Sequence, residues 1–413
     1  MAESELPSAA PPPSTGAVRL GYQPALDGMR AFAVAMVVLF HYPWNHTLFQ
    51  LNPVHGGFLG VDVFFVLSGF LITTLLVQEH LAHGVVSLRR FYARRALRLL
   101  PAFGVLWVIA VVLHLVLSVH DGDRPRTDGL LGTLFYVGNW VSIAKPEALG
   151  ILGPMWSLAI EEQFYLVWPL TLVALFAAGL RLRTIAWLTG IAAVAASLYR
   201  IHFWHSHLGP SNFLTFYLHL SNRKLTAAPP ATFAHRLNVW NRVYFGSDTR
   251  ADALLAGCFT AIVLVLVLPR LGARARVVLS FASIPAIVVV AMIFSRAVTA
   301  VSGWLVVWGF PLLEVSIAVL IASLVVAPRG VIARVLGFAP FAWIGRRSYA
   351  IYLFHLVVLK YCGRRYIDLP PAVSFVFQMA VILAAAEVSY RVVEAPMLRR
   401  KRRFEPVAVA ATS

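Results

Sequence analysis

Residues 57–78 read GFLGVDVFFVLSGFLITTLLVQ, an apolar run with a single charged side chain, Asp62. A helix of this length crosses the roughly 30 Å hydrocarbon core of a bilayer. Similar runs recur along the 413-residue chain, which is 59% hydrophobic, 13% charged and has a mean hydropathy of +0.76. The sequence therefore predicts an all-α, polytopic membrane protein rather than a soluble domain.

We predict ten membrane-spanning helices, with both termini in the cytoplasm. They cover residues 27–46, 57–78, 101–119, 153–178, 184–201, 250–268, 277–295, 304–326, 341–361 and 372–393. This orientation places most loop arginines on the cytoplasmic side, as the positive-inside rule requires. The rule also accounts for the formal net charge of +17, so we predict no nucleic-acid partner and expect membrane lipids around the helices.

The helices predict one membrane domain, residues 25–396, with short flanking regions. Residues 1–24 are rich in Ala, Pro and Ser and predict a disordered cytoplasmic leader that is not a signal peptide. Residues 397–413 predict a basic cytoplasmic tail, and the aromatic and His-rich segment 202–249 is a candidate outer cap. Because the chain ends soon after the last predicted helix, we expect no appended domain.

Arg30 and His41 are the first candidates for a functional site. They are eleven residues apart on one predicted helix, so both side chains lie on one face, roughly 16 Å apart along the axis. Ionisable groups are costly in lipid and usually line a cavity or a reaction path.

The predicted topology places Asp62 and Glu161 at a depth similar to that of His41. A carboxylate that holds one imidazole nitrogen raises the basicity of the ring, and the other nitrogen can then deprotonate a hydroxyl. Buried groups of this kind can also bridge helices as structural pairs. Three of them at one depth, with Arg30, favour a catalytic role for His41, Asp62 and Glu161.

Arg95 and Arg98 are neighbours on a helix surface next to the third predicted span. Guanidinium groups bind phosphate in bidentate fashion, so a nucleotide-bearing donor such as coenzyme A could dock there. On spacing alone, a topology signal or a contact with lipid headgroups is the favoured alternative. With two cysteines in the whole chain, we predict no metal site and no disulfide framework.

Seven stretches together resemble the membrane acyltransferase family 3, bacterial integral-membrane O-acyltransferases that modify polysaccharides, peptidoglycan, macrolides and lipids. They are LDGMR at 26–30 followed by His41, GVDVFFVLSGF at 60–70, FYARRALRLLP at 91–101, MWSLAIEEQFY at 155–165, TRADALLAG at 249–257, GRRSYAIYLFH at 345–355 and EAP at 394–396. The motifs run from about residue 24 to 396 in family order, so the resemblance covers nearly the whole chain.

The resemblance implies a ten-helix enzyme of the bacterial cytoplasmic membrane and assigns roles to matching residues. The co-substrate is expected to be acyl-coenzyme A, acetyl-coenzyme A in particular, with no permanently bound cofactor. A hydroxyl of a glycan, glycolipid or natural product is the expected acceptor. The implied roles are catalysis for His41, an essential partner on the same helix for Arg30, and donor binding for Arg95 and Arg98. We also group Arg30 with the donor-binding residues, because the pantetheine arm would pass it on the way to His41. Candidates for contact with the acceptor, or for positioning the residues that contact the substrates, are Ser68, Tyr165, Arg250, Asp252 and His355.

A rival hypothesis is a proton-coupled transporter or exporter of a small amphipathic molecule. Buried His and carboxylate groups also serve as proton relays. The sequence has no internal repeat of fixed period, which many secondary transporters possess. This absence and the family motifs favour the acyltransferase.

Overall fold

The computed structural model describes residues 21–43, 54–116, 124–208, 230–296, 303–363, 367 and 369–401. Residues 1–20 of the predicted leader, 402–413 of the predicted tail and 209–229 of the predicted cap lie outside these ranges. The described chain consists of helices and their connections, with no strand in these ranges. The prediction of an all-α fold is confirmed.

Within those ranges the chain forms seventeen α-helices. In chain order, α1 to α17 cover Pro24–His41, Gly60–His83, Leu88–Val116, Thr127–Leu134, Gly138–Ala144, Met155–Ala177, Leu182–Leu208, Pro230–Phe245, Ala251–Val267, Ala273–Phe281, Ser283–Arg296, Phe310–Val326, Val331–Leu336, Ala339–Arg346, Ser348–Tyr361, Pro371–Ser389 and Ala395–Lys401. Short 3-10 helices cover His55–Leu59, Gly150–Leu152 and Leu268–Arg270, and π-helical turns cover Leu305–Gly309 and Tyr390–Glu394.

The described chain has nine helical segments that are long and apolar enough to cross a membrane, and α15 is a shorter apolar helix of 14 residues. The protein is thus a multi-pass membrane protein. The predicted span 341–361 is not one helix, because α14 and α15 meet at Arg347, whose guanidinium pairs with Glu387 of α16. A Cβ at Gly345 would lie 1.8 Å from the Asp27 carbonyl oxygen, so α14 packs directly on the backbone of α1.

Helix α3 is longer than the predicted span 101–119 and begins at Leu88, so one helix carries both the arginine motif and the apolar segment. The arginines are accommodated because carboxylates face them: Arg94 pairs with Glu79 of α2, and Arg95 lies 3.7 Å from Glu162 of α6. Within the predicted cap, residues 202–208 are helical in α7 and residues 230–245 in α8, and 246–249 form a turn.

Helix α2 lies at the centre of the fold. Within His55–His83, 78% of the most apolar stretch is buried inside the protein, compared with 22% of the corresponding stretch of α7. A Cβ at Gly69 would lie 1.9 Å from the Leu254 carbonyl oxygen, and one at Gly257 would lie 2.0 Å from that of Val66. Small residues of this kind let membrane helices approach closely. Helices α2 and α9 are therefore in backbone contact.

Candidate active site

His41 is the last residue of α1, and one hydrogen bond fixes its tautomer. The Nδ1 atom lies 2.8 Å from the carbonyl oxygen of Val37, one helical turn earlier. Because a carbonyl oxygen only accepts hydrogen bonds, Nδ1 carries the proton and Nε2 of the neutral ring keeps its lone pair. Nε2 is thus the atom that can take a proton or attack a carbonyl carbon.

A cavity of about 290 Å³, here named the His41 cavity, borders this imidazole. Its lining is rich in aromatic side chains, which include Phe40, Phe58, Trp156, Trp240, Tyr244 and Phe245. Ser142 and Tyr352 also belong to the lining. Such walls accommodate a neutral group, an acyl chain or the apolar face of a sugar, without burying a charge.

His355 lies next to His41, with 5.0 Å between the ring centroids. The ring is fully buried, and its Nδ1 donates a hydrogen bond of 2.7 Å to the Tyr352 carbonyl oxygen. Its Nε2 has no hydrogen-bond partner among the described residues. A buried acceptor without a partner is costly and marks a candidate functional group. In the same ranges, no group of three or more His, Cys, Asp or Glu side chains could hold a metal ion.

Asp62 does not form the predicted contact with His41. Its carboxylate is fully buried on α2 and pairs with Arg250, which precedes α9. The close packing of α2 against α9 imposes this pairing, since it brings the two residues together in the core. The group bonded to the His41 ring is the Val37 carbonyl, from within α1.

The Asp62–Arg250 pair is part of a larger buried charge network. Arg200 of α7 pairs with Asp252 and lies 3.4 Å from Glu314 of α12. The Arg250 guanidinium carbon is 4.1 Å from the centroid of the Phe310 ring. The predicted candidates Arg250 and Asp252 thus hold α2, α7, α9 and α12 together.

Glu161 is likewise bonded to groups other than His41. Its Oε2 accepts hydrogen bonds from the Tyr165 hydroxyl at 2.5 Å and from the Ser68 hydroxyl at 3.1 Å. The predicted site residues Ser68, Glu161 and Tyr165 therefore contact one another. The charged group beside them is Arg95, whose Nη2 lies 3.9 Å from Glu161. The predicted contact between Glu161 and His41 is therefore not formed.

A second cavity, of about 120 Å³, is lined by all three predicted donor-binding arginines. We name it the arginine cavity, and its polar lining includes Arg30, Arg95, Arg98, Ser68, Glu161, Tyr165 and Tyr352. Residues that are far apart in sequence thus form one basic site. Tyr352 also lines the His41 cavity.

The three arginines of this cavity differ in how firmly they are held. Arg30 pairs with Asp27 at 3.0 Å. The guanidinium carbon of Arg95 lies 3.2 Å from the centroid of the Tyr165 ring, in addition to its carboxylate neighbours. Arg98 is half-buried and forms no ion pair within the described part of the chain. Arg98 is therefore the guanidinium most available to an incoming anion.

The family model described as an acyltransferase domain matches residues 23–390. This range contains all lining residues of both cavities. The chain belongs to the membrane acyltransferase family 3.

Relatives within this family include Staphylococcus aureus proteins. One from strain MSSA476, named "Putative O-acetyltransferase", is 33% identical over 395 residues, which is 92% of this chain and 58% of the relative. "O-acetyltransferase OatA" of strain NCTC 8325 is 31% identical over 398 residues, or 94% of this chain and 58% of the relative. The chain thus spans less than two thirds of the length of these relatives. No solved structure matches the chain.

Several residues of the two cavities and of the charge network were not among the predicted site candidates. Tyr352 and Ser157 stand within two of the family-like stretches, but only the structure shows that both line the arginine cavity. Arg200 and Glu314 complete the charge network. A usable signal existed for Glu314, because it is the single carboxylate in the apolar run 304–326.

Proposed function

We propose that the chain is an integral-membrane O-acyltransferase of the bacterial cytoplasmic membrane. It would transfer an acyl group, acetyl in the simplest case, from acyl-coenzyme A to a hydroxyl of a carbohydrate, glycolipid or related acceptor. The observation that carries the proposal is the position of His41, whose cavity and the arginine cavity share one lining residue, Tyr352. Membership of the family and the names of the relatives support the type of chemistry.

The donor would bind with its phosphates in the arginine cavity. Among the described residues Arg98 has no carboxylate in direct ion-pair contact, only the more distant Glu394, so it would form charge-assisted hydrogen bonds to phosphate with less rearrangement than Arg30 or Arg95. Arg95 would have to exchange part of its contact with Glu161 and Glu162 for the ligand. From Arg98 the pantetheine arm would extend towards Tyr352 and carry the thioester to His41.

His41 would act through its Nε2 atom by one of two balanced routes. In the direct route, Nε2 takes the proton of the acceptor hydroxyl while the oxygen attacks the thioester carbonyl carbon. The carbon–sulfur bond then breaks, and the leaving sulfur receives that proton, which yields an ester and free coenzyme A. In the two-step route, Nε2 attacks the thioester carbonyl carbon, the carbon–sulfur bond breaks and coenzyme A leaves as the thiolate. The acceptor oxygen then attacks the acyl-imidazolium, the carbon–nitrogen bond breaks to restore neutral His41, and the hydroxyl proton passes to the thiolate to give the thiol.

Two neighbours would stabilise the positive imidazole that forms in the direct route. The Val37 carbonyl holds the Nδ1 proton, which stays in place throughout. His355, whose Nε2 has no partner among the described residues and whose ring centroid lies 5.0 Å from that of His41, would accept a hydrogen bond from the new Nε2 proton. His355 would thus assist His41 without touching the substrate.

A transfer assay tests the proposal directly. Inverted membrane vesicles that contain the protein are incubated with acetyl-labelled acetyl-coenzyme A. We expect free coenzyme A thiol together with labelled ester in the extracted glycans or lipids. A transporter would release no thiol. The proposal fails if vesicles with correctly inserted protein show neither thiol nor labelled ester above those of empty vesicles.

The proposal predicts that Arg98→Ala weakens donor binding. Loss of charge-assisted hydrogen bonds worth about 1.5–3 kcal/mol should raise the Kd for coenzyme A by roughly 10- to 150-fold. The measurement is titration calorimetry of purified protein with coenzyme A. Arg90→Ala is the matched control, because Arg90 is an exposed arginine of the same helix. An unchanged Kd in Arg98→Ala would make Arg98 a topology or lipid-contact residue.

A further inference from the structure

We propose that Tyr352 determines which acyl groups reach His41. The inference rests on the proposed function and adds a specificity residue to it. Among the described lining residues, Tyr352 is the single side chain shared by the arginine cavity and the His41 cavity. A donor with its phosphates at Arg98 must therefore bring its thioester past this phenol before Nε2 of His41 can react.

The phenol of Tyr352 is held in place from both cavities. Its hydroxyl lies 2.6 Å from the Ser157 hydroxyl and donates to the Pro154 carbonyl oxygen at 2.8 Å. Ser157 lines the arginine cavity, and Pro154 lines the His41 cavity. The hydroxyl thus fastens α15 to the start of α6, where the two cavities approach each other.

The ring of Tyr352 has Phe64 of the arginine cavity and His355, the neighbour of His41, as ring contacts. It lies 6.1 Å from the Phe64 ring, which lines the arginine cavity, and 5.6 Å from the His355 ring beside His41. With 8% of its surface exposed, Tyr352 is buried in this position. The passage therefore opens only when the phenol moves, and the extent of that movement depends on the size of the group that crosses.

Size discrimination follows from this packing. An acetyl group adds one methyl beyond the carbonyl and requires a small displacement of the ring. A branched acyl group is wider and must break both hydrogen bonds of the hydroxyl. Apolar sites discriminate between groups that differ by one methylene by about 10- to 200-fold. The wild-type protein should therefore prefer acetyl-coenzyme A to isobutyryl-coenzyme A, and loss of the ring should reduce this preference.

The experiment compares thiol release from acetyl-coenzyme A and isobutyryl-coenzyme A as a ratio of kcat/KM values. Tyr352→Ala should raise the isobutyryl-to-acetyl ratio by about tenfold or more. Tyr352→Phe keeps the ring and loses both hydrogen bonds, so it should raise the ratio by a smaller factor. Tyr349→Ala and Tyr349→Phe are the controls, because Tyr349 is on the same helix and lines the arginine cavity alone.

Failure of the inference and failure of the proposed function give different results. If wild-type protein releases thiol from neither donor, the proposed function is wrong. If it releases thiol but the ratio is unchanged in the Tyr352 variants, or rises equally in Tyr349→Ala, the role of Tyr352 is wrong and the function stands. If Tyr352→Ala does not fold, Tyr352→Phe and Ser157→Ala test the inference instead, because both remove the Tyr352–Ser157 hydrogen bond. An unchanged isobutyryl-to-acetyl ratio in both variants overturns the inference.

Discussion

His41→Ala should lower the rate of acyl transfer by about 10²–10⁴-fold while the protein still inserts and folds. Alanine lacks the Nε2 lone pair on which both proposed routes depend. The loss should fall on kcat more than on donor binding, because the proposed phosphate contacts lie in the arginine cavity. Initial rates of thiol release and of ester formation in vesicles measure the effect.

A second histidine provides the control for this substitution. His83 is exposed at the end of α2, and His83→Ala should leave the rate within about twofold of the wild-type value. His41→Gln keeps a polar side chain without a base and should be as inactive as His41→Ala. Full activity of a folded His41→Ala protein would remove His41 from the mechanism.

Arg250→Met should destabilise the protein by about 3–5 kcal/mol, because it leaves a buried carboxylate without its partner. The network contains two guanidinium groups, of Arg200 and Arg250, and the three carboxylates of Asp62, Asp252 and Glu314. Removing one arginine increases the excess of negative charge in the core. Asp62→Asn makes the formal charge of the network neutral, so it should lower the free energy of unfolding by markedly less.

Unfolding of the purified protein in detergent measures this difference. Lys145→Met provides a charge-pair control, because Lys145 and Asp128 form an ion pair of 2.7 Å whose side chains are 51% and 34% exposed. The hydrogen bond from Lys145 holds the pKa of Asp128 below its usual value. An exposed pair of this kind contributes no more than about 1 kcal/mol. Equal losses in Arg250→Met, Asp62→Asn and Lys145→Met would contradict the proposed network.

Much of the fold followed from local properties of the sequence. Apolar runs long enough to cross a bilayer predict helices wherever they occur, because lipid offers no partner for backbone N–H and C=O groups. Two of the predicted spans differ from the helices for reasons that lie elsewhere in the chain. Helix α3 continues through its arginines because Glu79 and Glu162 face them, and the span 341–361 divides where Arg347 meets Glu387.

The site was predictable only in part, because some of its features are local to one helix and others depend on contacts between helices. The spacing of Arg30 and His41 is a property of one helix, so the sequence could place both on one face. Partners such as Asp62 with Arg250 come from different helices, and depth in the membrane does not specify which side chains meet. Predicted depth placed Asp62 and Glu161 near His41, whereas packing pairs them with Arg250 and Arg95.

By itself, the sequence determined the all-α membrane architecture, the family and the residues whose charge is costly in lipid, since these depend on composition and short-range order. Only the tertiary structure decided that Arg98 has no ion-pair partner in the described chain, that His41 borders a cavity, and that Tyr352 lines two cavities. The physical reason is that a cavity is the space left between packed helices. Its position depends on side chains that are distant in sequence and that no local pattern connects.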